Sequence, residues 1–261
     1  MIGISFLRGA GAAVAALLAF GAIADDAARN HSSEMNATRP AEQAGTKGGV
    51  KVAFLGNSIT LHGIAPQIGW TNLWGMAASA RERDYVHLVT RCIERETGRS
   101  AETIVKNVYD FERDFANYDV SKGLGDVVDF RPDYLVVAIG ENVRDLPTDE
   151  LKEGYRKAFK ELLGALLSGP ARPRTVVRGV FWRNEAKDEA MSKVANEFGV
   201  PFVRTDDLGS DPSMKAIGLF AHAGVANHPG DKGMAETAAR ILGALFPKRP
   251  ACAEWPGHQA Q

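Results

Sequence analysis

Three residues of this chain have the types that acyl transfer requires: Ser58, Asn142 and His228. A serine hydroxyl becomes a useful nucleophile when a neighbouring base takes its proton. Neutral imidazole is the commonest such base near pH 7. An asparagine amide donates to the oxygen that turns negative as the carbonyl is attacked. Each residue follows an apolar run. Ser58 ends Val52-Ala53-Phe54-Leu55-Gly56-Asn57-Ser58, where a buried strand climbs to a glycine and stops at a small hydroxyl. Asn142 follows Tyr134-Leu135-Val136-Val137-Ala138-Ile139 as Gly140-Glu141-Asn142. His228 lies in Asn227-His228-Pro229-Gly230-Asp231, just before the last helical pattern. Alone, each has a structural reading: a polar strand end, a capping asparagine, a loop histidine ahead of an Asp N-cap. Together, at matching ends of successive elements, they read as nucleophile, oxyanion donor and general base.

The elements that must position them alternate. Strand-like segments run over Lys51–Leu55, Thr103–Val108, Tyr134–Ile139, Thr175–Phe181 and Val200–Val203. Helical patterns fall over Trp74–Glu96, Thr148–Leu167 with Thr148 as cap, Glu185–Phe198 and Asp231–Leu245, with one or two short helices over Phe111–Val128. Strands alternating with helices predict an α/β protein, a three-layer α/β/α sandwich around a mostly parallel five-stranded sheet of flavodoxin-like form. In such sheets ligands bind beyond the carboxyl ends of the strands. No internal repeat and no second domain is visible; one domain is expected over 50–247.

Three blocks of this arrangement resemble the SGNH (GDSL-type) hydrolases: Phe54-Leu55-Gly56-Asn57-Ser58-Ile59-Thr60, then Gly140-Glu141-Asn142, then His228-Pro229-Gly230-Asp231-Lys232-Gly233-Met234. The resemblance spans residues 50–246 and implies that Ser58 is the nucleophile, Asn142 an oxyanion-hole donor and His228 the base. The chain departs from the family pattern in four places. Asn57 stands where Asp is commoner, and Val143 follows Asn142 where an Asp is usual. The block expected to supply a glycine N–H falls in Asn107-Val108-Tyr109-Asp110-Phe111-Glu112, which has no glycine. Val225 occupies the position three before the histidine where the family places the orienting Asp. Substitute acceptors for His228 are a backbone carbonyl in Gly224-Val225-Ala226, one of Asp206, Asp207 and Asp211, or Glu141.

Two aromatic segments bear on substrate. Trp70 and Trp74 lie in a loop soon after Ser58, and Trp182 follows the fourth strand. Aromatic faces at a crevice stack on sugar rings, so all three are candidate substrate contacts; pinning the loop to the core is the alternative for Trp70 and Trp74. His62, His222 and His228 match no ligand motif, and no metal or cofactor is expected.

The chain has 261 residues, with Lys plus Arg 31 against Asp plus Glu 32 and a net charge of −1. That balance gives no basic surface for nucleic acid. Arg8 precedes an apolar stretch from Gly9 to Ile23, and Ala22-Ile23-Ala24 supplies small residues for cleavage. Residues 1–24 are expected to be a secretory signal peptide, 25–49 a flexible leader and 248–261 a tail. The expected product is secreted or periplasmic, with no stable membrane insertion after cleavage. Cys92 and Cys252 either pair or, for Cys92, serve as a small buried hydrophobe. The expected activity is a serine esterase that cleaves small acyl esters, acetyl first, from carbohydrate through an acyl-enzyme, with a small-molecule or polysaccharide ester as substrate. The alternatives are a lipid-directed esterase or lysophospholipase, and a catalytically weak carbohydrate-binding relative.

Overall fold

The computed structural model describes residues 48–248. The expected signal segment, nearly all of the leader and tail, and Cys252 lie outside the described residues.

Five strands form one sheet in the order β2-β1-β3-β4-β5: β1 Val50–Gly56, β2 Ala101–Asn107, β3 Tyr134–Ala138, β4 Arg174–Arg178 and β5 Phe202–Val203. Every pairing is parallel, so the mostly parallel sheet expected from the sequence is wholly parallel. The helices are α1 Tyr85–Thr97, α2 Tyr109–Arg113, α3 Val120–Phe130, α4 Asp149–Leu167, α5 Glu185–Glu197, α6 Asp206–Ser210, α7 Ala223–Ala226 and α8 Asp231–Leu245. A parallel sheet is covered on both faces, and the alternating side chains sort accordingly. Ala53, Leu55, Leu135, Val137 and Val177 face one buried cluster, built with α3, α4 and α5. Val52, Phe54, Val136, Ala138 and Val176 face the other, built with α1 and α8. Cys92 is buried in that second cluster. Each fully buried Leu, Val or Phe of this core contributes about 1.5–3 kcal/mol of transfer free energy.

The ends of α1 and α4 follow from their caps. The sequence pattern predicts a helix from Trp74, but α1 starts at Tyr85 because buried Asp84 caps it, accepting the N–H of His87 at 2.8 Å. Asp84 also accepts the Gly75 N–H at 3.1 Å, and Ala77 is left-handed at φ 73°, so the residues between form a loop whose one regular turn is the 3-10 helix Arg81–Arg83. Thr148 caps α4 as expected, its hydroxyl accepting the Leu151 N–H at 3.2 Å. Asp231 is the first residue of α8 rather than its cap. Its carboxylate instead takes the backbone N–H and hydroxyl of Ser79, at 2.8 and 2.7 Å, and so fastens the loop ahead of α1.

Above the carboxyl ends of the strands a third, smaller cluster joins two loops: Ala65, Trp70, Met76 and Ala77 from one, Ala216 and Val225 from the other. The first loop follows Ser58, and the second leads through α7 to His228. Among the described residues, no helix is long and apolar enough to cross a membrane.

Candidate active site

The sheet order reverses between β1 and β3, and that switch point opens a crevice at the strand ends. Gly56 ends β1 because nothing larger fits: a Cβ there would lie 1.7 Å from Thr60 Oγ1 and 3.0 Å from the Ala138 carbonyl. The chain then turns, with Thr60 and Leu61 both donating to the Asn57 carbonyl at 2.9 Å, and Ser58 faces the crevice. His228 arrives on the second loop, just ahead of α8. Its N–H donates to the Val225 carbonyl at 3.0 Å, and its own carbonyl accepts from the Ala216 N–H at 3.0 Å.

Ser58 Oγ and His228 Nε2 are 2.8 Å apart. His228 Nδ1 lies 2.7 Å from the Gly224 carbonyl oxygen. A carbonyl can only accept, so Nδ1 carries the proton and the Nε2 lone pair faces the serine hydroxyl. The ring of Trp182 packs edge-on against the imidazole, with centroids 5.1 Å apart and planes at 84°. None of the three candidate aspartates orients the histidine. Asp206 pairs with Arg204, Asp207 with Arg240, and Asp211 caps the turn at Ser213. Val225, at the family's aspartate position, is a fully buried member of the loop cluster.

Burial pushes the His228 imidazole down to about 4, against the Gly224 carbonyl, which pulls it upward. The imidazole is therefore neutral, and able to accept a proton, throughout the neutral range. The Hε1 resonance of His228 should titrate with a midpoint near 4; a midpoint at the ordinary imidazole value of about 6.5 would show a ring that the protein does not desolvate.

Beneath the dyad lies a polar hub that the sequence reading missed. Glu112, on the short helix α2, is buried. Its Oε1 accepts from Asn57 Nδ2 at 3.0 Å and from the Gly140 N–H, and its Oε2 accepts from Asn142 Nδ2 at 2.6 Å. Gly140 is left-handed at φ 119°, and a Cβ there would sit 2.8 Å from Val180. The second Asn57 hydrogen goes to Glu141 Oε2 at 2.5 Å, while Asn57 Oδ1 accepts the Ile59 N–H at 3.2 Å. Glu141 in turn holds Arg178 at 2.6 Å and the Phe181 N–H at 3.0 Å. Burial and the neighbouring Glu141 charge push Glu112 up to about 7, against its amide donors, so it is ionised on the alkaline side of neutrality. Burial also works against Glu141, but the Arg178 guanidinium holds it below the usual carboxylate range.

The hub explains Asn57. Two carboxylates flank this position, and a carboxamide offers each of them an N–H, whereas an aspartate would add a third negative charge. It also accounts for Glu141, which is committed to Arg178, Phe181 and Asn57 rather than to the histidine.

The structure brings Ser58 and His228 into contact and ties Asn142 through Glu112 to the residue beside Ser58. The three tryptophans separate. Trp182 is half-buried beside His228, and Trp74 is half-buried with its indole N–H on the Ala78 carbonyl at 3.0 Å. Trp70 is 0% exposed, so the expectation that it lines the crevice is corrected. Its ring is packed between Trp74 and Phe220, at 6.0 and 5.9 Å, and joins the two loops rather than meeting a ligand. Among the described residues, no group of three or more His, Cys, Asp and Glu side chains is arranged to hold a metal ion.

The sequence profile of the GDSL-like Lipase/Acylhydrolase family matches residues 54–236. No curated protein matches the chain. Among solved structures, a carbohydrate esterase described as displaying divergent catalytic and non-catalytic binding functions is 15% identical over 82% of this chain and 70% of its own, with a TM-score of 0.51. A lipase/acylhydrolase from Enterococcus faecalis is 13% identical over 77% of this chain and 98% of its own, with a TM-score of 0.49. A family two carbohydrate esterase from Clostridium thermocellum, in complex with cellohexaose, is 17% identical over 81% of this chain and 66% of its own, with a TM-score of 0.48. At these identities the likeness is one of fold.

Proposed function

The chain belongs to the GDSL-like lipase/acylhydrolase family and is an ester-hydrolysing serine hydrolase, and from that premise we propose that it is an exported esterase that removes small acyl groups, acetyl above all, from carbohydrate. The observation that carries the catalytic part of this reading is the 2.8 Å contact between Ser58 Oγ and a histidine nitrogen whose lone pair is free to accept. Ser58 attacks the ester carbonyl as His228 Nε2 takes the hydroxyl proton. The tetrahedral intermediate collapses to an acyl-serine, and the imidazolium gives its proton to the departing alcohol. Water then repeats the cycle: it attacks the acyl carbonyl as His228 takes its proton, the acyl–serine bond breaks as the imidazolium returns the proton to Ser58 Oγ, and the acid leaves. Asn142 Nδ2 spends one hydrogen on Glu112 and keeps the other for the oxyanion. The Gly224 carbonyl fixes the tautomer of His228 but carries no full charge to balance the imidazolium. Turnover is accordingly modest beside that of a carboxylate-backed triad.

Export is supported by the signal-like residues 1–24, with the mature chain beginning near Asp25. The carbohydrate acceptor is supported by Trp182, half-buried at the crevice with its ring against His228. A specific observation favours a second reading, an ester with an apolar group. Ile64, Leu73, Ile217 and Leu219, exposed at 43, 57, 57 and 68%, all lie on the two loops that flank the dyad.

A substrate panel separates the two readings. kcat/KM should fall by about tenfold or more from p-nitrophenyl acetate to the octanoate, since each buried methylene can contribute only where a trough receives it. An acetylated oligosaccharide should exceed p-nitrophenyl acetate in kcat/KM. The opposite order on chain length, abolished by Leu73→Ser with Leu219→Ser, would assign the enzyme to apolar esters.

A further inference from the structure

We infer that Glu112 is a positioning residue for this esterase: it sets which way the Asn142 amide faces, and through Asn57 it locks that amide to the turn that carries the nucleophile. The inference rests on reading Asn142 as the oxyanion donor, and it adds the group that makes the side chain a donor there.

An asparagine amide can sit in two orientations, related by a flip that exchanges Nδ2 and Oδ1. Only one presents N–H to the oxyanion; the other presents a lone pair and repels it. Nothing in Asn142 itself chooses between them. Ionised Glu112 chooses, because a carboxylate is acceptor-only and its Oε2 lies 2.6 Å from the amide. The oxygen cannot swing aside. Its partner Oε1 is held by the Gly140 backbone N–H and by Asn57 Nδ2, so all three of the carboxylate's partners are donors, from the ends of two different strands. The groups that face it agree with this arrangement. Glu141 lies beyond Asn57 and is neutralised by Arg178 from β4. From α4 comes the buried Tyr155 hydroxyl, which has no acceptor or donor among the described residues. From α5 comes Lys187, whose ammonium is engaged by the Val143 carbonyl.

Glu112→Gln tests this with almost no change of shape. A glutamine cannot accept from three donors with one oxygen. If that oxygen keeps Gly140 and Asn57, its own N–H₂ meets Asn142 Nδ2, and the Asn142 amide turns over to satisfy it. The oxyanion then faces a lone pair. At pH 8, above the value of about 7 to which burial pushes Glu112, Glu112→Gln should lower kcat about a hundredfold with KM unchanged within about twofold, the split expected for a contact made only in the transition state. Asn142→Ala should show the same loss, and the double variant should lie within about threefold of Asn142→Ala, because Glu112 acts through that one amide. If Asn142→Ala loses activity and folded Glu112→Gln keeps wild-type kcat, the role of Glu112 is wrong and the esterase assignment stands. If both keep wild-type kcat, Asn142 is not the oxyanion donor. Should Glu112→Gln fail to fold, the wild-type enzyme still decides. In its ¹⁵N-resolved spectrum one Asn142 side-chain proton, identified by its loss in Asn142→Ala, should be far downfield and protected from exchange. An ordinary, freely exchanging amide pair would overturn the inference.

Discussion

Ser58→Ala should lower kcat on p-nitrophenyl acetate by on the order of 10⁴-fold or more, and His228→Ala should match it to within about tenfold. In the proposed mechanism the two side chains perform one step. Without Oγ there is no acyl-enzyme, and without Nε2 the hydroxyl 2.8 Å away keeps its proton. The double variant should therefore be no slower than either single one, whatever residual rate the oxyanion donors support. The Gly224 carbonyl adds a second part to this expectation. Asp206→Asn, Asp207→Asn and Asp211→Asn remove carboxylates that bind Arg204, Arg240 and Ser213, none of which touches the imidazole. Each of these variants should keep kcat within a few-fold of wild type. A folded Asp→Asn variant as inactive as His228→Ala would show that a carboxylate reaches the histidine during turnover, and the dyad account would be wrong.

The second large effect is on stability. Asn57→Asp is nearly isosteric and restores the residue commoner in the family, yet it should destabilise the protein by about 3–5 kcal/mol near pH 8. The amide that now donates to Glu112 and Glu141 would become a third carboxylate facing both, with Arg178 the cation bound to Glu141. At roughly 2–4 °C per kcal/mol for a domain of this size, Tm should fall by on the order of 10 °C. The pH dependence has a definite sign. Burial and the two flanking carboxylates favour the protonated form of the introduced carboxyl, so it binds a proton more tightly in the folded state than in the unfolded one. Stability is then regained as pH falls and lost as pH rises. Differential scanning calorimetry of the variant and wild type at pH 5 and pH 8 checks this: the Tm gap should narrow at pH 5. A gap of about 2 °C or less at pH 8, no more than the shift expected for about 1 kcal/mol, would mean that the hub accepts another charge, and the explanation of Asn57 would fail.

Much of the fold was legible in the residues. Val52–Leu55, Tyr134–Val137 and Val176–Val177 are apolar runs bounded by glycine or polar exits, and each forms a strand where that pattern says one should be. The candidate site was legible in part, because strand ends in a parallel sheet all face one edge. Ser58 and Asn142 needed no contact information to be placed together. The hub was not legible, for a physical reason. Glu112 and Glu141 differ from surface glutamates only in what surrounds them, and that depends on packing between α2, β3 and β4. A signal was available in Arg178. An arginine ending the buried strand Arg174-Thr175-Val176-Val177-Arg178 needs a counter-charge at the same sheet edge, and Glu141, just past the end of the adjacent β3, is the candidate. Trp70 was misplaced because proximity in sequence to Ser58 does not say which side of a loop an indole takes. In this loop it is the inside, where Ala65, Met76 and Val225 cover it.

In the proposed mechanism Ser58, activated by His228, is the residue that becomes acylated. Treating the enzyme with a fluorophosphonate and mapping the adduct by peptide mass spectrometry tests it in one step, because the reagent phosphonylates only a serine whose proton has somewhere to go. The account predicts a single adduct on the peptide containing Ser58, stoichiometric with loss of esterase activity and absent from His228→Ala. An adduct on a different serine, or full activity remaining after Ser58 is modified, would contradict it.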